Sequence, residues 1–279
     1  MHTPLPWAAT LFGGLTSFCL MISNAAQSQT VFFDDFSGPK LDRTKWNVEI
    51  TGHTNNNEQQ AYVDSSATIY IDHGVLVIQP KYAPGFKTPE GKTFDFISGR
   101  INTRKKIEFT YGQASARVRT TAGAGLWPAW WLLGNGEWPD AGEIDIMEYI
   151  GERDWVSAAV HGPGYSGETP FVNRLYFPGN NDVTHWHIYA VDWTPDSLIF
   201  KYDGVPMFRV TRAMAEHYGK WAFDNPEYLV LNFALGGGYP VKINGIKSPY
   251  FGLPASTVDA IKRGQCKLMV DWVKVEKKR

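Results

Sequence analysis

Within Gly142-Glu143-Ile144-Asp145-Ile146-Met147-Glu148-Tyr149, three carboxyl groups fall inside six residues. Glu143 and Asp145 alternate with Ile144 and Ile146, the period of a β-strand with one acidic and one apolar face. Strict alternation would carry Glu148 onto the isoleucine face, where a carboxylate is expensive. One extra residue, a β-bulge at Ile146-Met147, returns it to the acidic face. Glu143 and Glu148 then stand about four strand positions apart, ~13 Å between Cα atoms. Each side chain reaches roughly 4 Å, so the carboxyls can close to about 5–6 Å, the separation that suits cleavage of a glycosidic bond with retention of configuration. Three like charges on one strand face destabilise a sheet. They also raise the pKa of at least one carboxyl, so that it holds a proton near neutral pH as a general acid must. The set is expected to titrate as a unit. A solvated acidic edge strand, with or without bound calcium, is the alternative reading, although calcium loops rely on turns and carbonyl oxygens.

The elements that must hold this strand read as β throughout. Val75 to Ile78 follows the turn Asp72-His73-Gly74, and Gln113 to Arg119 alternates small or apolar with polar residues. Ile188 to Trp193, Leu198 to Tyr202, Tyr228 to Ala234 and Lys267 to Glu276 are further strands. Short strands broken by Gly, Pro and Asn/Asp turns predict an all-β sandwich or barrel. Thr211 to Lys220 is the one expected helix. Trp127 and Trp131 lie four apart and are expected on the same strand face, with Trp130 packed inside. His185 and His187 flank Trp186 and read as the outer face of one strand rather than a metal site.

Of the 279 residues, 11 are Trp, 13 Tyr and 16 Phe, a surplus that fits either a β-rich core or a cleft that stacks on sugar rings. A net charge of −1 leaves no electrostatic footprint for nucleic acid or an anionic membrane. Trp7 to Ile22 carries no charge and leads into the small residues Ser23-Asn24-Ala25-Ala26, with cleavage expected after Ala25 or Ser28. The expected organisation is a leader over 1–28 and one catalytic domain over 29–279, exported to the extracellular or periplasmic space, free of the membrane after cleavage, and monomeric. Met1-His2-Thr3-Pro4 lacks the usual Lys or Arg, and an uncleaved anchor is the alternative. Without the leader, Cys266 is the single cysteine and reads as a buried small hydrophobe.

The acid strand resembles the active-site strand of glycoside hydrolase family 16, in the form Glu-x-Asp-x-x-Glu. Trp127-Pro128-Ala129-Trp130-Trp131-Leu132-Leu133, Asn56-Asn57-Glu58-Gln59-Gln60, Ser98-Gly99-Arg100-Ile101, His161-Gly162-Pro163 and Asn232-Phe233-Ala234-Leu235-Gly236-Gly237 are similar to stretches of the family's laminarinases. The resemblance implies a β-jelly-roll sandwich of two antiparallel sheets with a concave substrate cleft. It implies Glu143 as nucleophile, Glu148 as acid and then base, and Asp145 as the residue that positions the pair. Trp127, Trp131, Trp138, Arg100 and Asn56 become candidate sugar contacts, and His161 a residue expected beside Glu148. No catalytic cofactor is implied. A structural calcium would draw a side chain from Asp271 and backbone oxygens from Asp35 and Gly74.

The function expected is an endo-acting β-1,3-glucanase of laminarinase type, with a β-glucan polysaccharide as its partner. The same chemistry on mixed-linkage glucan, β-galactan or agar, transfer to a second sugar, and sugar binding without turnover are the alternatives. The near-neutral charge speaks against a heavily sulfated polymer.

Overall fold

The computed structural model of the chain describes residues 28–52 and 55–278, so the expected leader lies outside the described residues except for Ser28. The chain forms β1 (Ser28–Asp34), β2 (Asn47–Val48), β3 (Gln60–Tyr62), β4 (Ile69–Asp72), β5 (Val75–Ile78), β6 (Lys81–Lys87) and β7 (Thr93–Ser98). It continues through β8 (Arg100–Asn102), β9 (Glu108–Phe109), β10 (Gly112–Thr120), β11 (Leu126–Gly134), β12 (Glu143–Glu148), β13 (Trp155–His161) and β14 (Phe171–Tyr176). Then follow β15 (His187–Thr194), β16 (Ser197–Tyr202), β17 (Val205–Thr211), α1 (Arg212–Tyr218), β18 (Glu227–Leu235), α2 (Gly238–Asn244), α3 (Ala255–Lys262) and β19 (Leu268–Lys278).

One antiparallel sheet runs β4-β5-β19-β10-β15-β16-β17, with β1 also on β19. A second runs β2-β8-β18-β11-β12-β13-β14, with β9 also on β18. A third, smaller sheet joins β3, β7 and β6. The two large sheets face each other across one apolar core. Val118, Val191, Phe200 and Val270 enter it from the first, and Trp130, Leu132, Ile144, Val160, Leu231 and Phe233 from the second. This is the jelly-roll sandwich expected, and its strands follow the period-two reading closely, with β5 matching residue for residue. No helix among the described residues is long and apolar enough to cross a membrane.

Alternation on β11 shows how the second sheet divides its residues. Leu126, Trp130 and Leu132 are fully buried on the core face, while Trp127, Trp131 and Leu133 are partly open on the other. Burying each large apolar side chain contributes roughly 1.5–3 kcal/mol, which fixes the register and so decides which face β12 turns to the cleft.

Two expectations need correction. The expected helix is present as α1, capped by the Thr211 hydroxyl, which accepts from Met214 N at 3.2 Å. Two more helices form where none was expected. α2 starts in a Gly-Gly-Gly-Tyr-Pro run that reads as turn, and α3 follows Pro254, a residue tolerated at a helix start. His187 is buried rather than on an outer face. Its Nδ1 lies 2.9 Å from Asp203 Oδ2 and 2.8 Å from the Tyr202 hydroxyl, and its Nε2 lies 3.1 Å from the Asp182 carbonyl. Those partners come from β16, the turn after it and the loop before β15, so the strand's own period does not reveal them. His185 is the open one, beside Asp182 at 3.4 Å.

One core position is chemically at odds with its surroundings. Glu227, at the start of β18, is 0% exposed, and neither carboxyl oxygen has a hydrogen-bond partner. Burial, then Glu143 and Asp145, push its carboxyl well above the ordinary range, so it is held as the neutral acid. In the unfolded chain the same group ionises above pH ~4.3. The stability of the neutral buried form is therefore complete below that pH and is lost as pH rises toward the folded pKa.

Two outcomes are expected. Glu227→Gln should gain stability over the native chain with increasing pH, by up to about 1.4 kcal/mol per unit from about pH 5 upward. Denaturant titrations at several pH values measure this, and a pH-independent difference would show that Glu227 is not held neutral. Deleting Ile146 should leave a regular strand with all three acids on one face and a native near-ultraviolet spectrum. Deleting Ile146 and Met147 together should turn Glu148 inward and cost about 3–5 kcal/mol, as an unpaired buried charge does.

Candidate active site

β12 is placed by the connection from β11. Gly134 N donates to Gly142 O at 3.0 Å, and a Cβ added at Gly134 would lie 1.8 Å from Ala141 O, so only glycine fits. The connection delivers Glu143 opposite Leu133. The ladder continues Leu132↔Ile144 and Trp131↔Asp145, then jumps to Trp130↔Met147 and Ala129↔Glu148, leaving Ile146 without a partner. On the other side, Glu143, Asp145 and Glu148 face His161, Ala159 and Ser157, with the same shift between Asp145 and Glu148. The bulge forms where it was expected. Ile146 and Met147 both enter the core, and the three acids share the opposite face.

That face is nearly dry. Asp145 is 3% and Glu148 8% exposed, so desolvation dominates their chemistry. Burial, then repulsion from Asp145, raises Glu143 to about 8. Burial raises Asp145 to about 8, and burial with Asp145 beside it pushes Glu148 well above the ordinary range. The groups that favour charge are unevenly shared. Glu143 Oε2 accepts from Trp138 Nε1 at 3.0 Å, and His161 and Arg100 also favour its ionised form. Glu148 Oε1 accepts from Trp127 Nε1 at 3.1 Å, and His161 favours its ionised form as it does that of Glu143.

The β12–β13 register sets His161 opposite Glu143, and the imidazole also favours charge on Glu148, the residue it was expected to stand near. Its Nε2 lies 3.3 Å from Asp145 Oδ2 and 4.0 Å from Glu143 Oε1. Gly167 N donates to Nδ1 at 3.2 Å, which assigns the ring proton to Nε2, facing the acids. One donor atom each from Glu143, Asp145 and His161 lies within 4.8 Å of the other two, the spacing of a ligand set.

The other sequence-predicted contacts form an adjacent group toward β18 and β8. Trp131 Nε1 donates to Asn232 Oδ1 at 2.8 Å, and Asn232 Nδ2 donates to the Tyr62 hydroxyl at 2.9 Å. The Arg100 guanidinium lies 4.8 Å from the Trp131 ring centre and pairs with Glu49 at 2.9 Å. Trp138, 48% exposed, stands at the opposite wall with its Nε1 on Glu143 and its ring 5.9 Å from that of His161. Asn56 is exposed at the rim, where its carbonyl accepts from Gly238 N at 2.6 Å.

For calcium, the strand ladder brings the three expected positions together. β1 and β5 both pair with β19, in register Asp34↔Val273 and Leu76↔Val270, so Asp35 and Gly74 converge on Asp271. The oxygen donors suit a hard cation. The Asp271 carboxylate, however, is held by Arg117 Nη1 at 2.7 Å, and a cation there must compete with the guanidinium.

Several residues in the site were not singled out in the sequence. Asn232 and Tyr62 join the Trp131 group, and Asn232 is the one polar residue in an apolar run, a signal that period-two reading offers. Tyr239 donates to Ser157 Oγ at 3.2 Å and meets Trp127 edge-on at 5.6 Å. Ser157 in turn donates to the Glu148 carbonyl at 3.4 Å. Glu227 sits behind Glu143, with Oε1 3.1 Å from the place a Gly142 Cβ would take. Pro226-Glu227-Tyr228 reads as an ordinary turn acid and gives no sign of this.

The family model for glycosyl hydrolases family 16 matches residues 49–248. A beta-glucanase of Rhodothermus marinus is 33% identical over 231 residues, covering 76% of this chain and 77% of that protein. A glucan endo-1,3-beta-glucosidase A1 of Niallia circulans is 30% identical over 89% of this chain, which spans 38% of the relative's length. Among solved structures, an endo-beta-1,3-glucanase from Pyrococcus furiosus superposes with a TM-score of 0.80 at 31% identity, covering 91% of this chain and 96% of that one. With the acid motif, the bulge and the sandwich in place, the chain belongs to glycosyl hydrolase family 16 and is built as a glycoside hydrolase.

Proposed function

We propose that the protein hydrolyses internal β-1,3 linkages of β-glucan by double displacement with retention. The carrying observation is the unequal support of the two glutamates. An indole N–H and His161 favour charge on both, Arg100 stands among the groups that favour charge on Glu143, and Glu148, 8% exposed and pushed well above the ordinary carboxyl range, keeps its proton. Glu143 then attacks the anomeric carbon as Glu148 gives its proton to the departing glycosidic oxygen. In the second half, Glu148 takes a proton from water as that water attacks the same carbon and the bond to Glu143 breaks. Asp145 shares the remaining proton of the set and keeps repulsion between the glutamates low. Trp138, Trp127 and Trp131 offer ring faces to successive sugars, and Arg100 with Asn56 hydrogen-bonds the sugars before the cut. The relatives named for β-1,3-glucan support this substrate over galactans.

Export through the leader and a monomeric state belong to the same proposal. So does a calcium ion held by the Asp271 carboxylate and the backbone oxygens of Asp35 and Gly74. It would brace β19 against β1 and β5, remote from the acids.

Reducing-sugar release from laminarin, with none from agarose or xyloglucan, is the expected outcome of a substrate panel. Activity confined to galactans would overturn the substrate. Glu143→Ala and Glu148→Ala should each remove nearly all turnover, and azide added to Glu143→Ala should yield a glycosyl azide of inverted configuration. Full hydrolysis by Glu143→Ala would overturn the nucleophile. Chelation of calcium should lower the melting temperature and leave the rate of the folded enzyme unchanged; an identical melting temperature with and without calcium would remove the ion from the account.

A further inference from the structure

The cleft over β13 has two walls. At its His161 end stands the loop between β13 and β14. Gly167 of that loop is tied to His161 and lies against Trp138, a Cβ added there being 3.9 Å from the indole. At the Ser157 end stands α2, tied down by the Tyr239 hydroxyl on Ser157 and by the Tyr239 ring against Trp127. His161 and Ser157 are four strand residues apart, roughly 13 Å. Across this gap, Lys242 of α2 forms an ion pair and hydrogen bond with Glu168 of the loop. The two long side chains together have the reach to join one wall to the other. At the α2 end the Tyr239 hydroxyl covers Ser157, which is fully buried.

We infer that Glu168 and Lys242 form a strap over the β13 arm of the cleft, the arm on the far side of the acids from Arg100, so that a polysaccharide must lift the strap to lie along the whole groove. The inference rests on the proposed function for the identity of the chain beneath, since Arg100 marks the sugars before the cut and β13 those after it. Glu168 is 82% and Lys242 50% exposed at the side chain. An exposed pair is a weak tie, screened by salt. The strap is thus a gate that opens readily rather than a fixed roof. A long glucan entering sideways meets it closed for part of the time, whereas a short oligosaccharide slides beneath it.

The test uses Glu168→Ala, Lys242→Ala and the exchanged pair Glu168→Lys/Lys242→Glu in the full chain. Amide hydrogen exchange over residues 162–170 should quicken in either single variant and in the native protein at about 0.5 M salt. It should return to native protection in the exchanged pair at low salt. Both single variants should raise kcat/KM on polymeric laminarin by roughly two- to fivefold, the range an exposed tie can hold back, and leave a short laminarin oligosaccharide unchanged. Exchange unaltered in the single variants would overturn the strap whatever the substrate. Altered exchange with equal gains on polymer and oligosaccharide would overturn its role as a gate. Altered exchange in a protein that cleaves no glucan would leave the strap standing and sink the proposed substrate instead.

Discussion

Three carboxyl groups on one dry strand face cannot all carry charge. Each loses hydration, and each ionised neighbour raises the cost of ionising the next. Asp145, at the centre of the row, is buried, with His161 Nε2 3.3 Å from its Oδ2, and burial raises its carboxyl to about 8, so a proton is retained there or passed to a neighbour. The row therefore keeps protons at neutral pH, and their distribution depends on the few groups that favour charge. Each glutamate has an indole N–H and feels the imidazole beside Asp145, and Arg100 stands among the groups that favour charge on Glu143. A division of labour between two chemically identical side chains follows from that asymmetry.

Holding the row in place is the work of the sandwich. The extra residue at Ile146 rotates the end of β12, and the core accepts it because Ile146 and Met147 both pack among the apolar side chains behind the sheet. β11 and β13 flank β12 on both sides, so every acid has a strand partner on each edge. A strand anchored on both edges, with its back in a close-packed interior, has little freedom to relieve repulsion by moving. The strain of like charges is met by protonation instead. Glu227 adds a fourth carboxyl behind the row, and its neutrality limits how much further charge the acids must face.

Much of this was legible before any coordinates. The conflict between a period of two and the placement of Glu148 pointed to the bulge, because a carboxylate in the core is costly enough to decide the matter. The divided faces of Trp127, Trp130 and Trp131 followed from the same period. What stayed hidden depends on partners distant in the chain. That His161 stands opposite Glu143 while still acting on Glu148 depends on the register between β12 and β13, which is set by packing rather than local pattern. Tyr239 reaches Ser157 across 82 residues, and His187 is buried by Asp203 and Asp182. α2 was obscured by glycines that mark a turn in isolation and here start a helix against the cleft wall.

The seal between Gly134 and Ala141 has a consequence for how this scaffold can diversify. At that point of the β11–β12 connection there is no space for even a methyl group, so side chains cannot be added there without displacing the nucleophile's strand. Room for change lies instead in the segment at 166–170 and in α2, which stand on other strands and reach the acids through His161, Trp138, Ser157 and Trp127. Lineages built on this frame can therefore alter what they grip while the cutting apparatus is inherited intact.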